Sequence, residues 1–459
     1  MHTNIHIHLF SADHTPSAQL YYLFRGALHG AARGLLPALL NRPITTDDLR
    51  QLDRSMDRFD WPWPILFDLV LGASPLFTLI DVKRMINMLC TVSRVTRAQA
   101  RGAFRVGTDE TQIDMLTGLV QRTEHHQVND RPFPFRDAIC DLVSELYAAH
   151  EAKVGADGHR VTHQDLWDAF MSSEGVDQYK RVIALSMNLD EAFIDDNLPG
   201  LTSYPAIDFE GQTAELAQLA ANVNAQAGIQ ILPFLGVDPR GHNAATLDAF
   251  VRDRVGKTKP FKGLKIYPPM GLLPTDDRLK PVFDYCQDEG IPVLSHCSSG
   301  GAGVRGSNRN FADLAHPLKW EDVLNRLAQR AQTVQTKMFR LCLAHFDQLE
   351  APDSVSWCDE LIGLMQRFDG AQKVEVFSDV AFDVITGDAR ATYGANVARV
   401  RALGLADRVL FGSDWWNYLY ECDSEKAFIA QLQADGTWWQ PTDFDVASYR
   451  FLQDVVATD

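Results

Sequence analysis

The chain has 459 residues, of which 46% are hydrophobic and 22% are charged, a composition typical of a globular protein with an ample core. Its formal net charge of -17 argues against a nucleic-acid or anionic-membrane partner, because either would need clustered Lys and Arg. The seven cysteines are odd in number and include no CxxC pair, and no secretory leader opens the chain. We therefore expect a cytoplasmic protein.

The N-terminal segment NIHIHLF predicts a short strand on which His6 and His8 project to the same side, because successive side chains of a strand alternate. Two neighbouring imidazoles on one face can bind one metal ion. The alternative is a solvated histidine cluster at a frayed end of the chain. The rest of the chain must decide between them.

From about residue 15 to 176 the apolar residues recur at helical spacing, and strand-like runs are scarce. The most apolar window, 61–80, is interrupted by prolines, an aspartate and a glycine, which disfavours a membrane span. Buried core or a subunit contact is the better interpretation of that window. The sequence thus predicts no membrane partner and leaves homo-oligomerisation open.

From about residue 180 onward, seven short apolar runs ending in polar or glycine-containing turns alternate with helix-length segments. With the N-terminal strand they give eight βα units, the pattern of a (β/α)8 TIM barrel. The predicted barrel comprises residues 1–14 and 177–459. Residues 15–176 form a large, mainly helical insertion after strand 1, where it would stand over or beside the active site.

Polar residues with catalytic chemistry end several of these apolar runs: His6 and His8 after strand 1, Lys265 in strand 4, His296 after strand 5, His345 after strand 6 and Asp414 after strand 8. Side-chain alternation places the odd-numbered residues of strand 6, including His345, on one face. Active sites of such barrels lie at the carboxyl ends of the strands. We therefore expect the histidines and the aspartate to converge at the barrel mouth.

The segments HIHLF, GLKIYPP, VLSHC, CLAHFDQ and LFGSDWW, in this order, resemble the metal-dependent hydrolases of the amidohydrolase superfamily, most closely its amidohydrolase-related branch. The resemblance covers the predicted barrel, implies the distorted barrel of that superfamily and leaves out the insertion. It implies that His6, His8 and Asp414 bind the principal divalent metal, with His296 close to it. His345 would bind a second metal, or stay unligated and polarise the substrate or the metal-bound water.

Neutral imidazoles and a carboxylate suit Zn²⁺, with Mn²⁺, Fe²⁺ or Ni²⁺ as alternatives, and they leave a coordination position for water. The pKa of that water can drop from 15.7 to about 7, so that it acts as hydroxide at neutral pH. Asp414 can take the proton and deliver it to the leaving group.

Lys265 has more than one interpretation. In two-metal relatives such as dihydroorotase, a KLYP segment similar to KIYP here supplies a lysine whose carbamate bridges the ions. Alternatively, Lys265 stays cationic and binds a substrate carboxylate, or it has a purely structural role. The sequence therefore leaves one or two metal ions open.

Candidate substrate-binding residues are Arg240, Tyr267, Arg305 and Trp415. Either arginine could clamp a substrate carboxylate, and a solvated loop arginine is the alternative. Trp415 could line an apolar or aromatic pocket, and ordinary packing is the alternative. Asp379, at the end of strand 7, is a candidate for supporting a metal ligand or for contacting the substrate.

The sequence thus predicts a metal-dependent hydrolase that uses metal-activated water on a small carbonyl substrate, namely a lactone, an amide or an ester. The alternative reaction is metal-dependent, non-oxidative decarboxylation of an unsaturated or aromatic carboxylic acid. A non-catalytic metal- or ligand-binding protein is a third hypothesis. The intact set of four histidines and one aspartate argues against it, because a site freed from catalysis has no reason to keep both His345 and Asp414.

Overall fold

The computed structural model describes residues 3–9, 162–187, 209–298, 311–346, 357–381, 387–415, 424–433 and 441–456. The strands in these ranges are β1 (Thr3–His8), β2 (Arg181–Leu185), β3 (Gln230–Val237), β4 (Gly263–Ile266), β5 (Val293–His296), β6 (Phe339–Ala344), β7 (Val374–Val380) and β8 (Val409–Phe411). The α-helices are α1 (His163–Met171), α2 (Phe209–Asn224), α3 (Ala244–Arg254), α4 (Lys280–Glu289), α5 (Glu321–Thr333), α6 (Trp357–Arg367), α7 (Gly387–Ala402), α8 (Glu425–Gln433) and α9 (Pro441–Leu452). Short 3-10 helices include Pro268–Met270 after β4 and Ala406–Arg408 before β8.

The eight strands pair side by side in sequence order, and every pairing is parallel. Two backbone hydrogen bonds join the last strand to the first: the Asp414 amide donates to the His6 carbonyl, and the His8 amide donates to the Trp415 carbonyl, each at 2.8 Å. The sheet is thereby closed. The predicted (β/α)8 TIM barrel is confirmed, with an irregular register between β1 and β2 at Asn4–Ile7.

The strands form because their residues can be buried on both faces, as parallel sheets covered by helices require. All residues of β4, β5, β6 and β7 are buried. Helix α5, one of the covering helices, is amphipathic and buries Val323, Leu324, Leu327 and Ala328 at helical spacing. Helix α3 begins with a capping box between Asn243 and Thr246.

The amino-terminal ends of the strands are closed by helix α9. The Phe451 ring lies 5.2 Å from Phe377 on β7 and 6.4 Å from Phe234 on β3, which are opposite strands of the barrel. At the start of β7, the buried Glu375 carboxylate forms ion pairs with Arg450 of α9 and with Arg408. This end of the barrel is therefore filled by packing and ion pairs, as expected for the stability face of the fold.

The predicted insertion over 15–176 stays a prediction, because residues 10–161 lie outside the described residues. Residues 162–176, predicted as the end of this insertion, are described and belong to the same compact unit as the strands: the Phe170 ring of α1 is 5.3 Å from Trp415, and the Lys426 amide donates to the Glu174 carbonyl. Within the described part of the chain, no helix has the length and hydropathy that a membrane crossing needs.

Candidate metal centre

The carboxyl ends of β1 and β8 bring together three possible metal-binding atoms, two imidazole nitrogens and one carboxylate oxygen. His8 Nε2 lies 2.8 Å from Asp414 Oδ1, and His6 Nε2 lies 3.5 Å from the same oxygen. All three side chains are buried, and their donor atoms are close enough to bind one ion. Two imidazoles and a carboxylate are the donor types that Zn²⁺ and related ions prefer, so this set fits a divalent metal.

Two further predicted histidines lie beside this cluster. The His345 ring centroid is 5.0 Å from that of His6 and 4.7 Å from that of His296. The Tyr267 ring is 4.8 Å from His296. The structure therefore brings His296 and His345 to the same end of the barrel as His6, and their individual roles stay predictions.

Backbone conformation, rather than strand alternation, directs His345 and Asp414. Cys342 of β6 faces the centre, since its Sγ is 3.7 Å from Asp379 Oδ2, so regular alternation would turn His345 outward. Strand β6 ends at Ala344, however, and His345 takes the left-handed φ of 75°. Asp414 takes a φ of 55°. The alternation argument thus fails for His345, and these rare conformations, which cost of order 1–3 kcal/mol each, mark the site.

Burial keeps the imidazoles of His6 and His345 neutral. The pKa of His6 is lowered well below its usual value by burial, with further lowering by Lys265 and His8 that outweighs the attraction of Asp414. Burial and the neighbouring His6 lower the pKa of His345 to about 4. Neutral imidazoles have the free lone pair that metal binding needs.

Asp414 is ionised in this surrounding. Burial alone would raise its pKa, but the adjacent rings of His6, His8 and His345, with a hydrogen bond from His8, hold the pKa of this carboxyl well below its usual range. The carboxylate is therefore available at neutral pH both as a ligand and as a proton acceptor.

Lys265 lies in the interior of the barrel, and its Nζ is 3.4 Å from His6 Nε2. Burial lowers the pKa of this ammonium to about 8, although Asp414 and Asp379 attract the charge. A neutral amine is therefore accessible near physiological pH. That form is the one that can react with carbon dioxide, as the bridging-carbamate interpretation requires.

The predicted substrate-binding residues differ in their surroundings. The Arg240 guanidinium binds the Asp238 carboxylate through Nε and Nη2 and donates from Nη1 to the Met270 carbonyl at 2.6 Å. It thereby links the segment after β3 to the 3-10 helix after β4. Trp415 is buried against Phe170. Substrate binding by Arg240, Trp415 and Tyr267 stays a prediction.

Arg305 lies outside the described residues, so its predicted contact with a substrate carboxylate stays a prediction as well. Asn4 is a residue that sequence reasoning missed. Its Oδ1 accepts the amides of Ser413 at 3.1 Å and His6 at 3.2 Å, so one side chain connects the two ligand-bearing strands. Its position two residues before His6, at the start of a buried strand, was the available signal.

A comparison with protein families matches residues 195–440, more than half of the chain, to the family described as amidohydrolase. The chain belongs to the amidohydrolase family. The match contains Lys265, His296, His345 and Asp414 and begins after His6 and His8. No curated protein matches the chain in sequence.

A search of solved structures finds matches to this amidohydrolase at low identity. A Pseudomonas putida protein proposed to be a 2-pyrone-4,6-dicarboxylic acid hydrolase is 15% identical, with a TM-score of 0.40, over 67% of this chain and 94% of that one. An amidohydrolase from Burkholderia multivorans with bound zinc is 12% identical, with a TM-score of 0.40, over 66% and 92%. The 5-carboxyvanillate decarboxylase of Sphingomonas paucimobilis is 13% identical, with a TM-score of 0.37, over 62% and 82%. These similarities do not decide the reaction.

Proposed function

We propose that this amidohydrolase is a metal-dependent hydrolase that cleaves a small carbonyl substrate, a lactone, an amide or an ester. The observation that carries the proposal is the buried cluster of His6 Nε2, His8 Nε2 and Asp414 Oδ1 at the carboxyl ends of β1 and β8. Zn²⁺ is the proposed ion, since it favours imidazole and carboxylate donors, and Mn²⁺, Fe²⁺ and Ni²⁺ are the alternatives. When bound, such an ion acidifies water and so supplies a nucleophile at neutral pH.

The residues of the chain take separate roles in this proposal. His6 and His8 would hold the ion, and Asp414 places one carboxylate oxygen beside their Nε2 atoms. Asp414 would take the proton of the attacking water and deliver it to the leaving group. His345, adjacent to His6, would orient the substrate carbonyl, or would join His296 and Lys265 in holding a second ion.

One feature favours hydrolysis over decarboxylation. Lys265 lies in the barrel interior with its Nζ 3.4 Å from His6 Nε2, and this proximity supports the bridging-carbamate interpretation. The decarboxylase reaction stays the alternative outcome of the experiment.

The test is turnover in H₂¹⁸O of substrates found by screening lactones, amides and esters with added Zn²⁺ or Mn²⁺. We expect ¹⁸O in the product carboxylate, above the label gained when the unlabelled product is incubated alone. We also expect Asp414→Asn to reduce kcat by at least ~10²-fold, the usual effect of losing a general acid/base, in protein shown by elemental analysis to retain metal. Release of carbon dioxide without incorporation of solvent oxygen would contradict the hydrolase.

A further inference from the structure

One buried carboxylate, Asp379 near the end of β7, contacts two strands that carry predicted metal-site residues. Its Oδ2 lies 3.1 Å from His6 Nδ1 on β1. Its Oδ1 accepts the backbone amide of His345, just after β6, at 2.8 Å. The side chain is fully buried, so both contacts lie inside the barrel.

We infer that Asp379 is a positioning residue, which orients His6 and His345 and thereby sets the metal affinity of the site without binding the metal itself. This inference rests on the proposed metal centre. It deepens that proposal, because it adds a residue on which metal affinity depends.

The His6 contact determines which ring nitrogen faces the ion. His6 Nε2 points to Asp414 Oδ1, at 3.5 Å, and Nδ1 points to Asp379. A neutral imidazole that binds a metal through Nε2 carries its proton on Nδ1, and that proton can be donated to Asp379 Oδ2. Such carboxylate partners fix the tautomer and the ring orientation and make the imidazole a stronger ligand.

The His345 contact holds a strained backbone. His345 has a φ of 75°, a conformation that a non-glycine residue adopts only when its surroundings stabilise it. The hydrogen bond from its amide to Asp379 Oδ1 provides part of that stabilisation and keeps the ring 5.0 Å from that of His6. A single carboxylate thus fixes the relative position of two imidazoles.

Direct ligation by Asp379 is the alternative, since His6, His345 and Asp379 offer donor atoms close enough for an ion. His6 would then have to use Nδ1 for this ion. If Nε2 also served the His8–Asp414 cluster, the ring would have to lose both protons. A positioning role needs only a neutral ring with its single proton on Nδ1, next to Asp379 Oδ2.

The test compares Asp379→Asn with Glu375→Gln. Asparagine keeps the shape of the side chain but replaces one acceptor oxygen by an NH₂ group, which then faces either His6 Nδ1–H or the His345 amide. Glu375 is a matched control, because it is a buried carboxylate on the same strand whose ion pairs are with Arg340, Arg408 and Arg450 at the other end of the barrel. Zn²⁺ affinity of metal-depleted protein is measured by competition with a chelating dye, and the visible spectrum of Co²⁺-loaded protein is recorded.

We expect Asp379→Asn to weaken Zn²⁺ binding by about 10–100-fold and to change the Co²⁺ spectrum, as loss of a carboxylate partner does. Glu375→Gln should lower the melting temperature and leave both metal readouts unchanged. Asp379→Asn with wild-type affinity and spectrum would overturn the inference, whereas a wild-type protein that binds no Zn²⁺ or Co²⁺ would overturn the proposed function itself.

If Asp379→Asn does not fold, a crystal structure of the wild-type protein with Zn²⁺ tests the same inference. We expect zinc on His6 Nε2, with His6 Nδ1 within hydrogen-bond distance of Asp379. Zinc bonded to an Asp379 oxygen, or a His6 ring turned to bind through Nδ1, would refute the positioning role.

Discussion

Lys265 is the residue on which the number of metal ions depends. Its side chain is buried in the barrel, where an unpaired ammonium is unfavourable, and its Nζ lies 3.4 Å from a histidine that the proposal gives to the metal. An ammonium aimed at a bound divalent ion would be repelled, whereas a carbamate on the same nitrogen would be attracted. We therefore favour the bridging carbamate.

Lys265→Ala tests this interpretation. We expect the variant to lose metal, measured by elemental analysis, and a short carboxylic acid in the buffer to restore part of it by replacing the carbamate oxygens. Lys262→Ala is the control, because that Nζ binds the backbone carbonyls of Lys257 and Lys259. Full metal content in Lys265→Ala, with a raised KM and an unchanged kcat, would instead identify Lys265 as a substrate contact.

At this scale the sequence predicts residue identities better than conformations. The proximity of His6, His8 and Asp414 could be predicted because each ends an apolar run, and the structure places their donor atoms together. The left-handed backbone conformation of His345 and Asp414 could not be predicted, because residues far away in the sequence impose it. The same holds for Arg240, whose partner carbonyl at Met270 is 30 residues away.

Strands β1 and β8 depend on the absence of a side chain at one position. A Cβ on Gly412 would lie 2.5 Å from His6 Cβ and 3.4 Å from both His6 N and Ala381 Cβ. The close approach allows the Gly412 and Asp414 amides to donate to the Val380 and His6 carbonyls. The contacts that close the barrel therefore also position Asp414, a proposed metal ligand, beside His6.

We expect Gly412→Ala to displace His6, to lower the free energy of unfolding by about 1–3 kcal/mol through overpacking, and to weaken Zn²⁺ binding. Chemical denaturation of metal-depleted protein and zinc titration measure the two effects. The control is Gly363→Ala in helix α6, where an added Cβ meets nothing within 4 Å and alanine favours the helix by about 0.5–1 kcal/mol. A Gly412→Ala protein with unchanged stability and zinc affinity would show that β1 and β8 are not so tightly coupled.

The elements themselves could be predicted because short apolar runs alternate with helix-length segments, and each run proved to be a strand in sequence order. The register irregularity between Asn4 and Ile7 could not, since it arises from pairing with β2, which begins at Arg181. The packing of Phe451 between Phe234 and Phe377 could not be predicted either, because it depends on strands β3 and β7 facing each other in the closed barrel.

At the scale of the whole molecule, the candidate catalytic residues and the stabilising contacts lie at opposite ends of the barrel. The carboxyl ends of the strands carry the histidines, Lys265 and Asp414. The amino-terminal ends are filled by the ion pairs of Glu375 and, separately, by the Phe451 ring. This division is general for such barrels and explains why an eight-strand prediction also led to the expectation that these polar residues converge. The insertion predicted over 15–176 and the substrate could not be fixed in the same way, because loops and insertions vary independently of the barrel.

The central claim is that the barrel binds a divalent metal through His6, His8 and Asp414, and elemental analysis of dialysed protein tests it most directly. We predict one or two equivalents of a divalent transition metal. In depleted protein we predict a rise in melting temperature on adding Zn²⁺, because binding to the native state increases the free energy of unfolding by RT ln(1 + [L]/Kd). His8→Ala, which removes one donor, should reduce both the content and the rise. Less than about a tenth of an equivalent in the wild-type protein, with no stabilisation by Zn²⁺ or Mn²⁺, would contradict the metal centre.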